Sequence, residues 1–457
     1  MESARDNHFN RRALHAAARA TRDALQDFFL HAGEEHATVL KAPAGAGKTG
    51  AVVLTVPPAR RRKMRLAIGT PTNDQAFALV ERLARSHTNE TITFVPASAV
   101  SLPQQIARLP NVVQVEAAQA NGAAIIVGTI SKLGDAFCRG TLTPVDGLVI
   151  DESFQADSSR YYGVADLAPT HLLVGDSGQL NPFSTMPDPY RWRGLPEDPL
   201  QTAVGVLLRN HDARTQVHNL PISRRLDHRA VPLVRAFYSD LSFEAAVLPG
   251  VRKLQFDPAT ATSRTLRLVD QALEISSRSG WAHVELPPAP VLAADPEMID
   301  LIVALVQRLF QRRPHARCER HASWNELQTR HVAIGVSHND QKDLLRFRLD
   351  SVGFPEVVVE TANKLQGLEF ELVIAWHPLA GIPEPDEFHL DPGRLCVLLT
   401  RHRHACIVLG RADDRHLLDA LPPATPAFLG WDPDPILDGW EAHRAAFAAL
   451  EPHRLTL

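Results

Sequence analysis

Short apolar runs recur along this chain with helical stretches between most of them, and that rhythm leaves few folds open. The first set is "ATVLKA" (37–42), "RLAIGT" (65–70), "AAIIVGT" (123–129), "GLVIDE" (147–152) and "HLLVGD" (171–176). Strands buried on both faces read as continuous apolar runs, and their alternation with helices is the βαβ pattern of a parallel sheet. After the Pro-rich loop "FSTMPDPYRWRGLPEDP" the rhythm restarts with "TQVHNL" (215–220), "HVAIGV" (331–336), "EVVVET" (356–361), "ELVIAW" (371–376) and "ACIVLG" (405–410). The expectation is an α/β chain with two such units in tandem, 1–214 and 215–457, and a small, less regular insertion at 86–122. Residues 245–290 alternate in a β-like way, 296–312 read as an amphipathic helix, and the C-terminal stretch mixes Pro turns with an Ala-rich helix.

Composition removes several classes. With 457 residues, 45% hydrophobic and 22% charged, the chain has the make-up of a soluble protein of two or three domains. No apolar run approaches the ~20 residues that span a bilayer. The N-terminal "MESARDNHFNRRALHAAARA" lacks the apolar core of a signal peptide, so a cytoplasmic protein is expected. Cys138, Cys318, Cys396 and Cys406 are too scattered for a disulfide framework or a zinc knuckle. The net charge of −4 excludes a general polycation, so contact with nucleic acid would need local basic patches. Arg60, Arg61, Arg62, Lys63 and Arg65 form one candidate, and Arg312, Arg313, Arg317 and Arg320 another, although a solvated charged face is the plainer explanation of each.

The stretch "APAGAGKT" follows an apolar run and precedes "GAVVLTV", the setting of a Walker A loop. Small residues at Ala44, Gly45, Ala46, Gly47 and Gly50 let backbone N–H groups converge on the β- and γ-phosphates of a nucleotide. Lys48 would reach between those phosphates, and the Thr49 hydroxyl would serve Mg²⁺. Ala42 stands where the first glycine of this motif is usual, a position tolerable at a strand end with negative φ. "GLVIDESFQ" ends an apolar run in two carboxylates. Asp151 there suits Mg²⁺, and Glu152 suits orienting and deprotonating an attacking water. Gln179, after the further acidic strand end "GDSGQ", offers a neutral amide able to bond both a γ-phosphate and that water.

With these motifs in order the chain resembles a superfamily 1 helicase, of the branch that includes the nonsense-mediated-decay helicase. "APAGAGKT" resembles motif I, "GTPTNDQA" (69–76) motif Ia, "IDESFQ" motif II and "LLVGDSGQLNPF" (172–183) motif III. "IIVGTISKL" (125–133) matches the motif with a strand-end threonine. "LPISRRLDH" (220–228) resembles motif IV, "VETANKLQGLEFELVI" (359–374) motif V and "GRLCVLLTRHRHACIVLG" (393–410) motif VI. The resemblance implies two tandem RecA-like P-loop NTPase domains, ATP and Mg²⁺ as cofactors, and single-stranded DNA or RNA as partner.

It also implies residue roles. Arg225, favoured over Arg224 by register, and Arg401 would reach the γ-phosphate from the second domain, a contribution of about 10³–10⁵ in rate. Arg394 would be a supporting ion-pair residue. Glu369 would lie near the ribose, with Gly367 allowing close backbone approach. Gln26 resembles the upstream glutamine that reads adenine, although a helix-surface glutamine reads the same. Thr70, Thr72, Asn73, Thr129 and Thr361, at strand C-termini, would line a phosphate track; local cap chemistry is the competing explanation. Phe183 and His338 are candidate base-stacking platforms. Branch analogy implies 5′→3′ translocation, and the small insertions imply a minimal motor that a protein partner assists or targets. A nucleotide-dependent clamp or protein remodeller of the same fold, and more remotely a P-loop phosphotransferase, remain open.

Overall fold

The computed structural model describes residues 8–180, 182, 189–192, 195, 198–238, 241, 243–290, 294–420 and 435–457. Phe183 lies outside them. The chain divides into two compact units, one of His15–Ser177 with Asn181–Pro221, the other of Ile222–Leu457 with Gly178–Leu180 and the segment ending at Leu14.

The first unit is built on strands β1 (His36–Lys41), β2 (Leu66–Thr70), β3 (Ile92–Phe94), β4 (Val112–Gln114), β5 (Ile125–Thr129), β6 (Gly147–Asp151), β7 (Thr170–Gly175) and β8 (Thr215–Asn219). They form one sheet in the order β4-β3-β5-β2-β6-β7-β1-β8, and every pairing is parallel. Parallel neighbours need crossovers, and the helices Asn73–Ser86, Ile130–Cys138 and Ser158–Ala165 supply them. Val39, Ile126, Leu148, Ile150 and Leu173 pack with Leu133, Val164 and Val204 in one apolar cluster. The α/β class expected from the apolar runs is what the chain forms.

Three features depart from the sequence reading. β8, expected to open the second unit, pairs along Ala37–Lys41 of β1 and closes the edge of the first sheet. The division therefore falls at Pro221 rather than Arg214. The insertion at 86–122 carries β3 and β4, which extend the same parallel sheet. Residues 245–290, read as β-like, contain the helix Arg264–Ser279. Ser263 caps it, and Leu268, Val269, Ala272, Leu273 and Ser276 are its buried face, a spacing of helical period.

In the second unit β9 (Ile222–Ser223) and β10 (Glu244–Ala245) make a short parallel pair. β11 (Lys253–Gln255) joins β13 (His315–Cys318) and β14 (His321–Glu326) in an antiparallel sheet. The main sheet takes β12 (Trp281–Leu286), β15 (Val332–Val336), β16 (Val358–Thr361), β17 (Phe370–Trp376), β18 (His402–Arg411) and β19 (Arg454–Thr456), all parallel, in the order β16-β15-β17-β18-β12-β19. Val284, Ile334, Ile374 and Ile407 pack against Leu273, Leu301, Leu305 and Leu345 from the helices. The amphipathic helix expected at 296–312 is Pro296–Gln311, opened by Asp295, whose carboxylate accepts from the Glu297 and Met298 amides. The C-terminal helix Pro435–Leu450 leads into β19.

Candidate functional site

Strand order decides what the first unit brings together. β7 lies between β1 and β6, so three strand C-termini stand side by side, the end of an open parallel sheet where ligands bind. The phosphate loop leaves β1 at Lys41, and the Ala42 amide donates to Gly175 at the end of β7 (2.9 Å). Gly45 and Gly47 take φ of 75° and 93°, the left-handed region where a side chain would be strained. Gly47 is also the residue before the helix Lys48–Val53. Ala44 and Ala46 are buried, and Gly50 donates its amide to Gly47 (2.8 Å).

Lys48 is buried between carboxylates. Its ammonium donates to Asp176, just past β7, at 3.1 Å, and lies 3.8 Å from Glu152, just past β6. Asp151 ends β6, and burial pushes its carboxyl up to about 7, with the neighbouring Glu152 charge adding to the rise. Lys48, the Glu152 amide (3.1 Å) and the Thr49 hydroxyl oppose that rise. Asp151, Glu152 and Asp176 thus place three acidic groups around one ammonium. Such a cluster is complementary to a divalent cation and repels a bare triphosphate. Thr49 and Asp151, the two residues assigned to Mg²⁺, are within hydrogen-bonding reach of each other, so the donor set fits a hard cation.

Glu152 has φ 54°, which turns the chain sharply at the strand end. Its carboxylate accepts from Gln155 Nε2 at 3.4 Å, and Gln155 in turn accepts from Gln75 Nε2 at 3.1 Å. Gln75 also forms the capping box of the helix Asn73–Ser86 with Thr72. This amide relay from the helix Asn73–Ser86 to Glu152, and the Asp176 contact, escaped the sequence reading. A strand-end acid in "GDSGQ" was the available signal for Asp176.

The threonines divide. The Thr70 hydroxyl donates to the Thr72 carbonyl (2.9 Å), the Thr72 hydroxyl accepts from the Gln75 amide (3.3 Å), and Thr129 accepts from the Lys132 amide (3.2 Å). These side chains do local turn and cap work. Asn73 Oδ1 is buried without a hydrogen-bond partner. Thr361 precedes the short helix Ala362–Leu365 and makes no side-chain cap. Gln26 sits on the exposed side of the helix Arg11–Leu30.

The second unit holds the arginines. Arg225 donates to Glu369 (3.3 Å) and to the Thr400 carbonyl (3.2 Å). Glu369 also accepts from Arg320 (3.0 Å) and from the buried Arg403 (3.1 Å). Burial would raise its carboxyl, but Arg225, Arg403 and Arg320 outweigh that and hold it down at about 2. Arg403 further donates to Glu319 (2.6 Å), which Arg252 also binds (2.8 Å). Glu369, assigned to a ribose, is thus the anion of a guanidinium cluster that includes Arg403, a residue no motif singled out.

Arg401 is buried, donating to the Val397 carbonyl (3.1 Å) and the Thr400 hydroxyl (2.8 Å). Gln179 groups with this unit and accepts from Gln366 Nε2 at 3.0 Å. Gly367 has φ 84° and open space where a side chain would project. Arg394 stacks on Phe388 at 3.6 Å and stands 3.9 Å from Asp391. His338 packs near Phe388 and His389, with ring centres 5.0 and 5.5 Å away. Of the basic patches, Arg60 pairs with Glu90 and Arg312 with Asp270 and Glu274.

Among the described residues no helix is long and apolar enough to cross a membrane. A family model described as an AAA domain matches residues 261–413, inside the second unit. No curated protein matches the chain. Similar solved structures include an arterivirus nonstructural protein 10 (helicase) with DNA, at 14% identity and a TM-score of 0.43. That match covers 86% of this chain but only 63% of the viral chain. The helicase domain of Pyrococcus furiosus Hef matches at 12% identity and TM-score 0.38, over 90% of this chain and 99% of its own. A variant of S. cerevisiae Dbp5 bound to RNA and ADP BeF3 matches at 12% and 0.40, over 94% and 93%.

Proposed function

We propose that this chain is an ATP-hydrolysing motor that acts on single-stranded DNA or RNA and moves 5′→3′. One observation carries the proposal: the phosphate-loop Lys48 sits between Asp176 and Glu152 beside the buried Asp151. In this reading the loop amides and Lys48 hold the β- and γ-phosphates. Thr49 and Asp151 hold Mg²⁺, which supplies charge neutralisation for the triphosphate. Glu152, oriented by Gln155, takes the proton of the attacking water. Gln179 senses the γ-phosphate, and Arg225 and Arg401 are the guanidinium groups that stabilise the transition state; these roles rest on motif resemblance.

For nucleic acid, the reading uses backbone amides rather than hydroxyls. The helices Asn73–Ser86 and Ile130–Cys138 start directly after β2 and β5, and helix N-termini attract phosphate. Thr72 and Thr129 cap those ends, and Thr361 has the corresponding place after β16.

The test is phosphate release from Mg–ATP with and without matched single-stranded DNA and RNA oligonucleotides. One of the two should stimulate turnover by about tenfold or more. Lys48→Ala and Glu152→Gln should each abolish it, the latter while still binding ATP, and Arg401→Ala should lower kcat by about 10³. Wild-type protein without hydrolysis, or Glu152→Gln at the wild-type rate, would overturn the proposal.

A further inference from the structure

The sequence "DFFLHAGEEH" closes the helix Arg11–Leu30 and opens β1. Asp27 and His31 are four residues apart, so they share one helix face. His36 is the first residue of β1, at the opposite end of the strand from the phosphate loop. Folding brings one ligand atom from each of these three side chains within 4.8 Å of the others. Their individual contacts are closer. His36 Nε2 lies 3.0 Å from Asp27 Oδ2, and His31 Nδ1 lies 3.5 Å from Asp27 Oδ1. A third imidazole arrives from β8: His218 Nε2 is 3.8 Å from Asp27 Oδ2.

We propose that Asp27, His31 and His36 form a site for a divalent metal ion of the zinc class, with His218 the nearest side chain for a fourth position. Such a site would tie the last turn of the Arg11–Leu30 helix to β1.

Three arguments support it. Zinc holds nitrogen and oxygen ligands at about 2.0–2.2 Å, which puts tetrahedral ligands about 3.3–3.5 Å apart. The spacings from the Asp27 carboxylate oxygens, 3.0 Å to His36, 3.5 Å to His31 and 3.8 Å to His218, are within a few tenths of an ångström of that, and His31 and His36 lie within 4.8 Å of each other. Next, His218 Nε2 is buried and has no hydrogen-bond partner, a cost that a bound cation removes. Finally, the carboxylate is already oriented by a neighbour, the Thr38 hydroxyl donating to Asp27 Oδ2 at 2.6 Å. Metal ligands are commonly fixed by such outer hydrogen bonds.

The donor set selects the ion. Two imidazoles and one carboxylate suit zinc and its neighbours rather than Mg²⁺ or Ca²⁺, which take oxygen ligands. The three grouped ligands leave one position, which His218 or a water would fill. Binding replaces imidazole protons that bridge to the carboxylate, and His31 Nδ1 exchanges its 3.0 Å contact with the Asp27 carbonyl for the metal. The rings of His31 and His36 are stacked, with centres 3.9 Å apart, so one ring would have to turn out of the stack for both nitrogens to aim at one ion.

The test uses the full chain, stripped with a chelator and free of nucleotide, titrated with Zn²⁺ against a chromophoric chelator. Wild type should take up one equivalent with a submicromolar Kd. His31→Ala and His36→Ala should each weaken it by about 100-fold, and His218→Ala by about tenfold or more. Co²⁺ in place of zinc should give the visible bands of tetrahedral coordination in wild type and not in His31→Ala. His31 is the most exposed of the four side chains, so its alanine variant should melt like chelator-treated wild type, and zinc should raise the melting temperature of wild type alone. No stoichiometric uptake by wild type would overturn the proposal. Uptake unchanged in His31→Ala and His36→Ala would do so too, since it would place the metal at the phosphate-loop carboxylates.

Discussion

Asp151 is a residue whose protonation its surroundings change strongly. Burial and the Glu152 charge push its carboxyl up to about 7, against about 3.9 in an unfolded chain. Between those values the folded chain holds a proton that the unfolded chain has released. The native state therefore loses stability as pH rises through the window from about 4 to about 7. Asp151→Asn removes the titration. In nucleotide-free protein it should exceed wild type in stability at pH 8 by about 1–4 kcal/mol, and the gap should close at pH 4. Urea denaturation at the two pH values measures this; an equal gap at both would refute the buried, proton-holding carboxyl. Lys48, Asp151 and Glu152 were legible in sequence because each is fixed by a strand end and the turn after it. Asp176 was not assigned as the lysine's partner. That contact joins residues 128 positions apart, and only the order of β1, β7 and β6 creates it.

Packing between elements turns on close approach. The helices Ile130–Cys138 and Ser158–Ala165 cross where Gly134 meets Gly163: a Cβ at Gly134 would stand 2.7 Å from the Gly163 carbonyl oxygen. Backbone cannot retreat as a side chain can, so Gly134→Ala should cost about 1–3 kcal/mol. Gly163 has open space where its own Cβ would go. Gly163→Ala should therefore be neutral or gain up to about 1 kcal/mol from helix propensity. Urea midpoints of the pair decide; equal losses would mean the crossing relaxes freely. The same scale shows where sequence reading stops. The helix Arg264–Ser279 begins "RTLRLV", and Leu266 and Leu268 alternate like a strand before the helical face takes over. β8 has only partly buried or exposed residues, and its run does not tell which sheet it will join. Periodicity reports a face, not a partner.

Across the whole molecule, part of the positive charge is used within the fold. The net charge is −4, and three of the residues that a sequence reading counts toward nucleic-acid patches already have acidic partners. Arg60 meets Glu90, Arg312 meets Asp270 and Glu274, and Arg320 joins Arg403 on Glu369. If single strands are gripped by helix N-terminal amides and neutral side chains, binding should depend only weakly on salt. Each neutralised phosphate contributes about −0.7 to the slope of log K against log salt concentration for single strands. With about four ionic contacts or fewer, the slope should be about −3 or shallower. Fluorescence anisotropy with a labelled oligonucleotide over a range of KCl concentrations reads it directly. A slope near −6 or steeper would show that a broad basic face carries the binding, and the amide-based track would have to be given up.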